Sequence, residues 1–156
     1  MDVVIRGFSD MRVAAIRHIG PYDQISEAFA RLEPIATSGG LFNSPTAAMV
    51  ALFYDDPKST PPDKLRSDAG IVVPSDMKLP SGVTEQTIPG GEYATAVHTG
   101  PYAGLPAFWA QLTGEWLPTS GRRRAEGLSY EFYLNNPMQV PPAELRTEIR
   151  IPLTRG

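Results

Sequence analysis

The chain has 156 residues, no cysteine and a net charge of −3, with 42% hydrophobic and 20% charged residues. This length is typical of one folded domain, the composition argues against disorder, and the lack of cysteine excludes disulfides and thiolate chemistry. The acidic balance argues against direct contact with nucleic acid, and the absence of a signal peptide or long apolar segment predicts a cytoplasmic protein without membrane contact.

The first half of the chain predicts the order strand, helix, strand, strand. Apolar runs at residues 3–5 and 12–19 favour strands, and Gly20-Pro21 ends the second of them. Apolar residues then recur at helical spacing between Ile25 and Ala36. We expect Asp23 to cap this helix and Pro34 to end or kink it. Two further strands follow at residues 47–54 and 65–73.

The second half predicts the same order, with strands at residues 93–99, 128–134 and 145–153 and a helical stripe from Leu105 to Trp116. A further strand is expected near Ile88. Pro106 suits a first helical turn, so this helix is expected to start later than its counterpart. In the last strand apolar residues alternate with Arg146, Glu148 and Arg150, which predicts one dry and one solvated face.

These halves are copies of one another at a single fixed offset, which aligns Val13 with Tyr93. The segment from Val13 to Tyr22 resembles the one from Tyr93 to Tyr102, and the register holds without a gap for about sixty residues. The sequence therefore predicts one domain, residues 1–156, built from half-repeats at about 1–76 and 85–156. The expected fold is α+β: two strand-helix-strand-strand modules related by a pseudo-two-fold axis, an antiparallel sheet of about eight strands, two helices, and a ligand groove between the modules.

The second half has gained aromatic residues and one acid relative to the first. Its predicted strand at residues 128–134 carries Glu131 where the first half has Ala51, and Trp109 stands in place of Phe29. An acid among aromatic rings suits a flat lipophilic cation, because the carboxylate neutralises the charge and each ring adds about 0.5–2 kcal/mol of cation–π attraction. The alternative is that Glu131 pairs with an arginine on a solvated face and that the rings belong to the core.

Other chemistry finds little support. His18 and His98 occupy equivalent strand ends without clustered acids, so a structural role is expected and no metal is predicted. The chain has no Gly-rich loop followed by Lys and Ser or Thr, and no cofactor is predicted.

Four segments resemble the GyrI-like family, whose module also forms the effector-binding part of some AraC-type and MerR-type regulators. They are Phe53-Tyr-Asp-Asp-Pro-Lys-Ser-Thr-Pro-Pro-Asp-Lys-Leu-Arg-Ser-Asp68, Gly90-Gly-Glu-Tyr-Ala94, Gly100-Pro101-Tyr102 and Tyr130-Glu-Phe-Tyr-Leu-Asn-Asn136. The resemblance covers nearly the whole chain. Because no DNA-binding domain is expected within this length, the chain resembles a stand-alone member of the family.

The resemblance implies a protein that binds or sequesters a small hydrophobic or cationic drug or toxin, with the acid of a Glu-x-Tyr motif, here Glu131 and Tyr133, contacting the ligand. The comparison of halves adds five aromatic candidates to that site: Trp109, Phe108, Tyr102, Tyr22 and Phe53. Two alternatives remain open. One is a hydrolase of cyclopropane-containing DNA-alkylating toxins with Glu131 as catalytic residue, and the other is an inhibitor that interacts with DNA gyrase.

Overall fold

The computed structural model describes residues 1–155, which form two compact units. The Ala51 unit comprises Ser9–Gly90, and the Glu131 unit combines Met1–Phe8 with the chain from Gly91 onward. The strands are β1 (Val4–Phe8), β2 (Met11–Ile19), β3 (Met49–Phe53), β4 (Arg66–Val73), β5 (Thr84–Ile88), β6 (Gly91–Thr99), β7 (Ser129–Tyr133) and β8 (Arg146–Pro152). The helices are α1 (Ser26–Ser38), α2 (Leu105–Gln111) and α3 (Leu117–Thr119), and a π-helical segment, Leu112–Trp116, joins the last two.

The eight strands pair in antiparallel fashion with their neighbours in each unit, and the predicted α+β class is confirmed. The offset of the sequence repeat also relates the elements, because β2, β3 and β4 begin at the positions equivalent to the first residues of β6, β7 and β8. No helix within residues 1–155 combines the length and the apolar character needed to cross a lipid bilayer.

The first strand of each half pairs outside its own half. β1 pairs with β6, Val4 opposite Thr95, whereas β5, its equivalent in the repeat, pairs with β2, Thr84 opposite Ala15. Each unit therefore contains one strand contributed by the other half of the sequence. This exchange explains why Met1–Phe8 belongs to the Glu131 unit.

In the Ala51 unit the strand order is β3-β4-β2-β5, with α1 packed on β2 and β4. The helix buries a stripe of small and medium side chains at helical spacing, and these contribute to the core with apolar residues of β2 and β4. The fully buried members of the stripe are Ala28, Leu32 and Ala36. A second buried feature is Asp68, whose carboxylate accepts hydrogen bonds from Arg17 Nε at 2.5 Å and from the Tyr54 hydroxyl at 2.6 Å.

In the Glu131 unit the order is β1-β6-β8-β7, and the helical segment packs over one face of these strands. Its apolar core contains Leu105 and Leu112 with Ile149 and Ile151 of β8. The α-helical hydrogen bonding is interrupted at Leu112–Trp116, where a π-helical segment begins directly after the turn that carries Trp109. Such π segments add a residue to a turn and often occur beside functional sites.

Three details of the helix predictions are wrong. The expected end of α1 at Pro34 is not found: α1 continues to Ser38, because Ala36 is fully buried in the core and the Ser38 hydroxyl donates to the Pro34 carbonyl at 2.8 Å. α2 begins at Leu105, one position earlier in the repeat than α1, since Pro106 fits a first turn in which its missing N–H is not needed. Asp23 lies inside a 3₁₀ turn and does not cap α1, whose N-cap is Ile25.

The predicted solvated face of β8 is exposed at Arg146, but it is wrong for Glu148 and Arg150. Glu148 and Arg150 are only 6% and 5% exposed, and they form an ion pair with Nε to Oε1 at 2.7 Å. The guanidinium of Arg150 lies 4.2 Å from the ring centroids of both Phe8 and Phe132, and its Nη1 donates to the Tyr130 hydroxyl at 3.1 Å. A buried charge needs such a partner and such rings, and here the aromatic strands supply them.

Candidate functional site

Glu131 lies at the centre of β7, with its side chain on the face covered by the helical segment. It stands opposite Ile149, a member of the apolar core on that face, and it is only 6% exposed. Alternation along the strand places Tyr133 on the same face and sends Tyr130 and Phe132 to the other. The backbone of β7 therefore delivers one carboxylate into an otherwise apolar layer.

Two aromatic side chains hold this carboxylate, one on each oxygen. The Trp109 indole N–H donates to Oε2 at 2.6 Å, and the Tyr133 hydroxyl donates to Oε1 at 2.7 Å. Both donors are neutral, so the carboxylate is solvated by hydrogen bonds without an arginine or lysine counter-charge in either contact. The alternative in which Glu131 forms an ion pair on a solvated face does not describe this arrangement.

Burial dominates the protonation of the site. Desolvation raises the pKa of Glu131, while the hydrogen bonds from Trp109 and Tyr133 and the charge of His98 act in the opposite direction. The pKa of the Tyr133 phenol is raised well above its ordinary value, first by burial and then by the neighbouring carboxylate. Tyr133 therefore remains a hydrogen-bond donor over the ordinary pH range.

Further aromatic rings border this pair. The ring of Tyr102 contacts that of Tyr133, with centroids 5.6 Å apart and planes inclined by 64°, and Tyr102 is 37% exposed. Burial, followed by the charge of Glu131, raises the pKa of the Tyr102 phenol. Phe108 packs edge-on against His98, with centroids 5.2 Å apart. The structure thus brings Glu131, Tyr133, Trp109 and Tyr102 together. Phe108 lies next to this group, in contact with His98.

The two remaining candidates, Tyr22 and Phe53, lie in the Ala51 unit, where their ring centroids are 4.8 Å apart. The Tyr22 hydroxyl donates to the Asp55 carbonyl at 2.7 Å and accepts the Asp55 N–H at 3.0 Å. Tyr22 is the repeat equivalent of Tyr102, and Phe53 that of Tyr133. In this unit Tyr22 and Phe53 therefore contribute to a turn. The position equivalent to Glu131 is occupied by Ala51, so no acid lies at that strand position.

His18 and His98 make the same contact with the turn that follows their strands. Nε2 of His18 lies 3.0 Å from the Pro21 carbonyl, and Nε2 of His98 lies 3.2 Å from the Pro101 carbonyl. Each ring thereby fastens the turn that presents the following tyrosine. His98 adds an electrostatic influence on Glu131 that His18 lacks, because its half carries the acid.

Sequence reasoning missed one polar group on this face. Thr147 is fully buried, stands opposite both His98 and Tyr133 in the strand pairing, and its Oγ1 finds no hydrogen-bond partner within residues 1–155. A hydroxyl on the dry face of the last strand was the available signal. Its repeat equivalent, Ser67, is likewise buried without a partner in the described chain, which indicates a shared feature of the fold.

An open cavity of about 500 Å³ lies beside α2, against β1 and β6. Its lining includes Arg6, Phe108, Gln111 and Glu148, but Glu131 is not part of it. The acid is only 6% exposed, and the Trp109 indole and the Tyr133 hydroxyl each occupy one of its oxygens. Within residues 1–155, no group of three or more acidic or histidine side chains is placed to bind a metal.

Comparison with known proteins relates the chain to DNA gyrase inhibitors by sequence. It is 35% identical over 133 residues to a protein of Yersinia enterocolitica named DNA gyrase inhibitor, and the match covers 80% of this chain and 81% of that protein. A protein of the same name from Serratia proteamaculans is 34% identical over 144 residues, covering 87% and 88% of the two chains.

Solved structures share the fold at lower identity. The C-terminal domain of EcmrR superposes with a TM-score of 0.76 at 20% identity, covering 99% of this chain and 98% of that domain. A hydrolase encoded by lin2189 of Listeria innocua gives 0.67 at 16% identity, with 97% and 91% coverage. SAV2435 bound to tetraphenylphosphonium gives 0.69 at 11% identity, with 99% and 94% coverage.

The family model of the GyrI-like small molecule binding domain matches residues 1–154. With nearly the whole chain matched, and with the relatives above in agreement, the chain belongs to the family of GyrI-like small-molecule binding domains.

Proposed function

We propose that this protein binds a small lipophilic cation at Glu131, with Trp109, Tyr133 and Tyr102 forming the aromatic wall. The proposal depends on one observation: the Glu131 carboxylate is only 6% exposed, and both of its side-chain hydrogen bonds come from neutral donors. A buried anion of this kind gains most from a ligand that brings its own positive charge and needs little hydration.

The aromatic rings favour a flat or ring-rich ligand. Trp109 and Tyr133 already contact the acid, and Tyr102 packs on Tyr133 while keeping more than a third of its surface exposed. A cation that displaces one ring contact can therefore replace it with cation–π attraction, which is strongest for tryptophan. Phe108 lines the neighbouring cavity and would extend the wall for a larger ligand.

Tryptophan fluorescence provides a direct test. The chain has two tryptophans, so a Trp116→Phe background leaves Trp109, hydrogen-bonded to Glu131, as the reporter. Tetraphenylphosphonium, the ligand of the structural neighbour SAV2435, serves as probe, and tetraphenylborate serves as its anionic counterpart of the same shape. We expect saturable quenching by the cation alone and at least tenfold weaker binding in Glu131→Gln. Equal binding of both probes, or an unchanged affinity in Glu131→Gln, contradicts the proposal.

A second candidate is hydrolysis of a strained, electrophilic ligand at the same acid. Its support is the raised pKa of Glu131, because a general base works best with a pKa near the working pH. Glu131 would take a proton from water as the water oxygen attacks a cyclopropane carbon. The ring C–C bond breaks, its electron pair moves to a conjugated carbonyl, and that oxygen takes up the proton that Glu131 removed from water, which restores the carboxylate. Incubation with a cyclopropane-containing toxin should yield a product heavier by one water, at a rate that Glu131→Gln abolishes.

A third candidate is interaction with DNA gyrase, supported by relatives 35% and 34% identical that are named gyrase inhibitors. A supercoiling assay with purified gyrase tests it independently of ligand binding. We expect inhibition at micromolar protein that persists in Glu131→Gln. Unchanged supercoiling at that concentration removes the candidate.

A further inference from the structure

The outer edge of β1 is the starting point. β1 is the terminal strand of the order β1-β6-β8-β7 and pairs along one side with β6. Its apolar side chains are unusually open for a strand, with Val4 55% and Ile5 38% exposed. Exposed apolar edges favour pairing with another chain, and proteins normally protect them with charge, proline or a covering segment.

The backbone direction of β1 follows from the neighbouring pairs. Gly100 N–H donates to the Leu145 carbonyl at 2.8 Å and Leu153 N–H to the Glu92 carbonyl at 2.9 Å, so even-numbered residues of β6 bond to β8. Odd-numbered residues of β6 therefore face β1, and their partners there are Val4, Arg6 and Phe8. The N–H and C=O groups of Ile5 consequently point to the outer edge.

The repeat shows that the fold does not demand this apolar edge. β5 is the equivalent strand of the other half, and it occupies the terminal position beside β2. Where β1 has Val4 and Ile5, β5 has Thr84 and Glu85, both exposed. At these two positions β5 is polar and β1 is apolar, and the one exposed charge of β1 is Arg6. The exposed apolar pair favours use of the outer edge of β1 by another strand.

The sequence around β1 is complementary to itself. In an antiparallel pair centred on Val4, that residue faces its own copy, Val3 faces Ile5, and Asp2 faces Arg6. The outward-directed backbone of Ile5 supplies the hydrogen bonds, and the two Asp2–Arg6 pairs are attractive. Arg6 forms an ion pair with Glu148 at 3.2 Å and stays half exposed, so it can form a second ion pair with another acid. The opposite charges at this spacing specify the register and select a second copy over an unrelated strand.

We propose that two copies of this chain associate through antiparallel pairing of β1 with β1, centred on Val4. The pairing continues the strand order of the Glu131 unit by one strand from each copy and covers Val4 and Ile5. Because two short strands bury little area, the dimer is weak and concentration-dependent. This proposal is independent of ligand binding at Glu131.

Cysteine cross-linking tests the register. The chain contains no cysteine, so Val4→Cys carries a single thiol. Directly opposed residues of a non-hydrogen-bonded antiparallel pair have Cα atoms about 4.5 Å apart, within the range of about 4.4–6.8 Å that disulfides span. We expect a disulfide-linked dimer of Val4→Cys under mild oxidation. The matched control, Thr84→Cys on β5, should remain monomeric.

Sedimentation velocity over a concentration series supplies a second readout that needs no cross-link. Asp2→Lys places a positive charge opposite Arg6 of the other copy and should weaken dimerisation about tenfold, since two attractive pairs become repulsive. Glu85→Lys on β5 makes the same charge change and should leave the dimerisation constant unchanged. A chain that stays monomeric up to millimolar concentration overturns the proposal. So does a dimer that is insensitive to Asp2→Lys and gives no Val4→Cys cross-link.

Discussion

Glu131 and Ala51 occupy the same place in the two units: Glu131 stands opposite Ile149 in β8, and Ala51 stands opposite Ala69, the repeat equivalent of Ile149, in β4. Both side chains are buried, but only one is charged. Since the fold forms around an alanine at this position, the carboxylate is not needed to build it. Burying an acid is costly and the fold does not require it, which supports the binding role proposed for Glu131 and its two aromatic donors.

Trp109→Phe should weaken the site and the fold together. The substitution removes the indole N–H from Oε2 of Glu131 and leaves the buried carboxylate with Tyr133 as its side-chain donor. A hydrogen bond to a charged group contributes about 1.5–3 kcal/mol, so we expect a loss of that size in the free energy of unfolding at neutral pH. Urea denaturation measures it. Trp116→Phe, which removes an equal volume from the core beside the helical segment, should cost less. Equal losses in both variants would show that packing, not the carboxylate contact, sets the effect.

The stability of the protein should depend on pH through Glu131. Burial raises the pKa of this group above its unfolded value of about 4.3. Its stabilising contribution is therefore complete below that unfolded pKa and is lost as the pH rises through the folded pKa. Glu131→Gln cannot ionise and escapes this loss, so its free energy of unfolding relative to the parent should increase between about pH 4 and pH 8.

Denaturant midpoints across that pH range provide the measurement, and only the trend is diagnostic because the amide also changes the hydrogen bonds. Glu27→Gln, on the exposed side of α1, controls for the change in net charge. A difference between parent and Glu131→Gln that stays constant with pH would mean that Glu131 titrates alike in the folded and unfolded chain.

The repeat made much of this architecture predictable. Strand alternation assigns Glu131 and Tyr133 to one face from the sequence alone, and the common offset places β3 and β7 in equivalent positions. The contact between Trp109 and Glu131 could not be read in the same way, because it depends on how α2 lies over β7. The exchange of β1 and β5 between the halves was equally hidden, since a repeat in sequence does not state which copy a strand pairs with.

The error at β8 has a specific physical cause. Alternation of apolar residues with Glu148 and Arg150 predicts a solvated face only if nothing packs there. Phe8 and Phe132 do pack there, 4.2 Å from the Arg150 guanidinium, and Phe8 comes from β1, at the other end of the chain. Likewise the packing of Ala36 outweighed the helix-breaking tendency of Pro34. In both cases tertiary contacts decided what local patterns left open.

Asp68→Asn should destabilise the Ala51 unit without affecting the cation binding proposed at Glu131. Asp68 is fully buried and accepts hydrogen bonds from Arg17 and Tyr54. Breaking a fully buried ion pair costs about 3–5 kcal/mol, and we expect about 2–3 kcal/mol because the Arg17 side chain stays 38% exposed and can hydrate. Urea denaturation measures the loss, and tetraphenylphosphonium binding in buffer without denaturant should be unchanged.

The control is Glu85→Gln, which breaks an exposed pair with Arg12 and should cost less than about 1 kcal/mol. If Asp68→Asn also lowers the free energy of unfolding by less than about 1 kcal/mol, the buried Asp68 carboxylate does not stabilise the unit as expected.

Arg150 provides the last prediction, since its equivalent in the Ala51 unit is Gly70. Arg150→Met leaves Glu148 buried with the half-exposed Arg6 as its remaining ion-pair partner and should cost about 3–5 kcal/mol of unfolding free energy. Arg150→Lys keeps the charge but loses the planar stack between Phe8 and Phe132, so its cost should be smaller, about 1–2 kcal/mol.

The control for this series is Arg122, whose partner Glu92 is 53% exposed. Arg122→Met should cost less than about 1 kcal/mol, because water replaces an exposed partner readily. Denaturation of the four proteins under one set of conditions ranks the substitutions. If Arg150→Lys is as damaging as Arg150→Met, the aromatic stack contributes more than the ion pair. If neither variant loses more than Arg122→Met, the buried cluster does not stabilise the strand that carries Glu131.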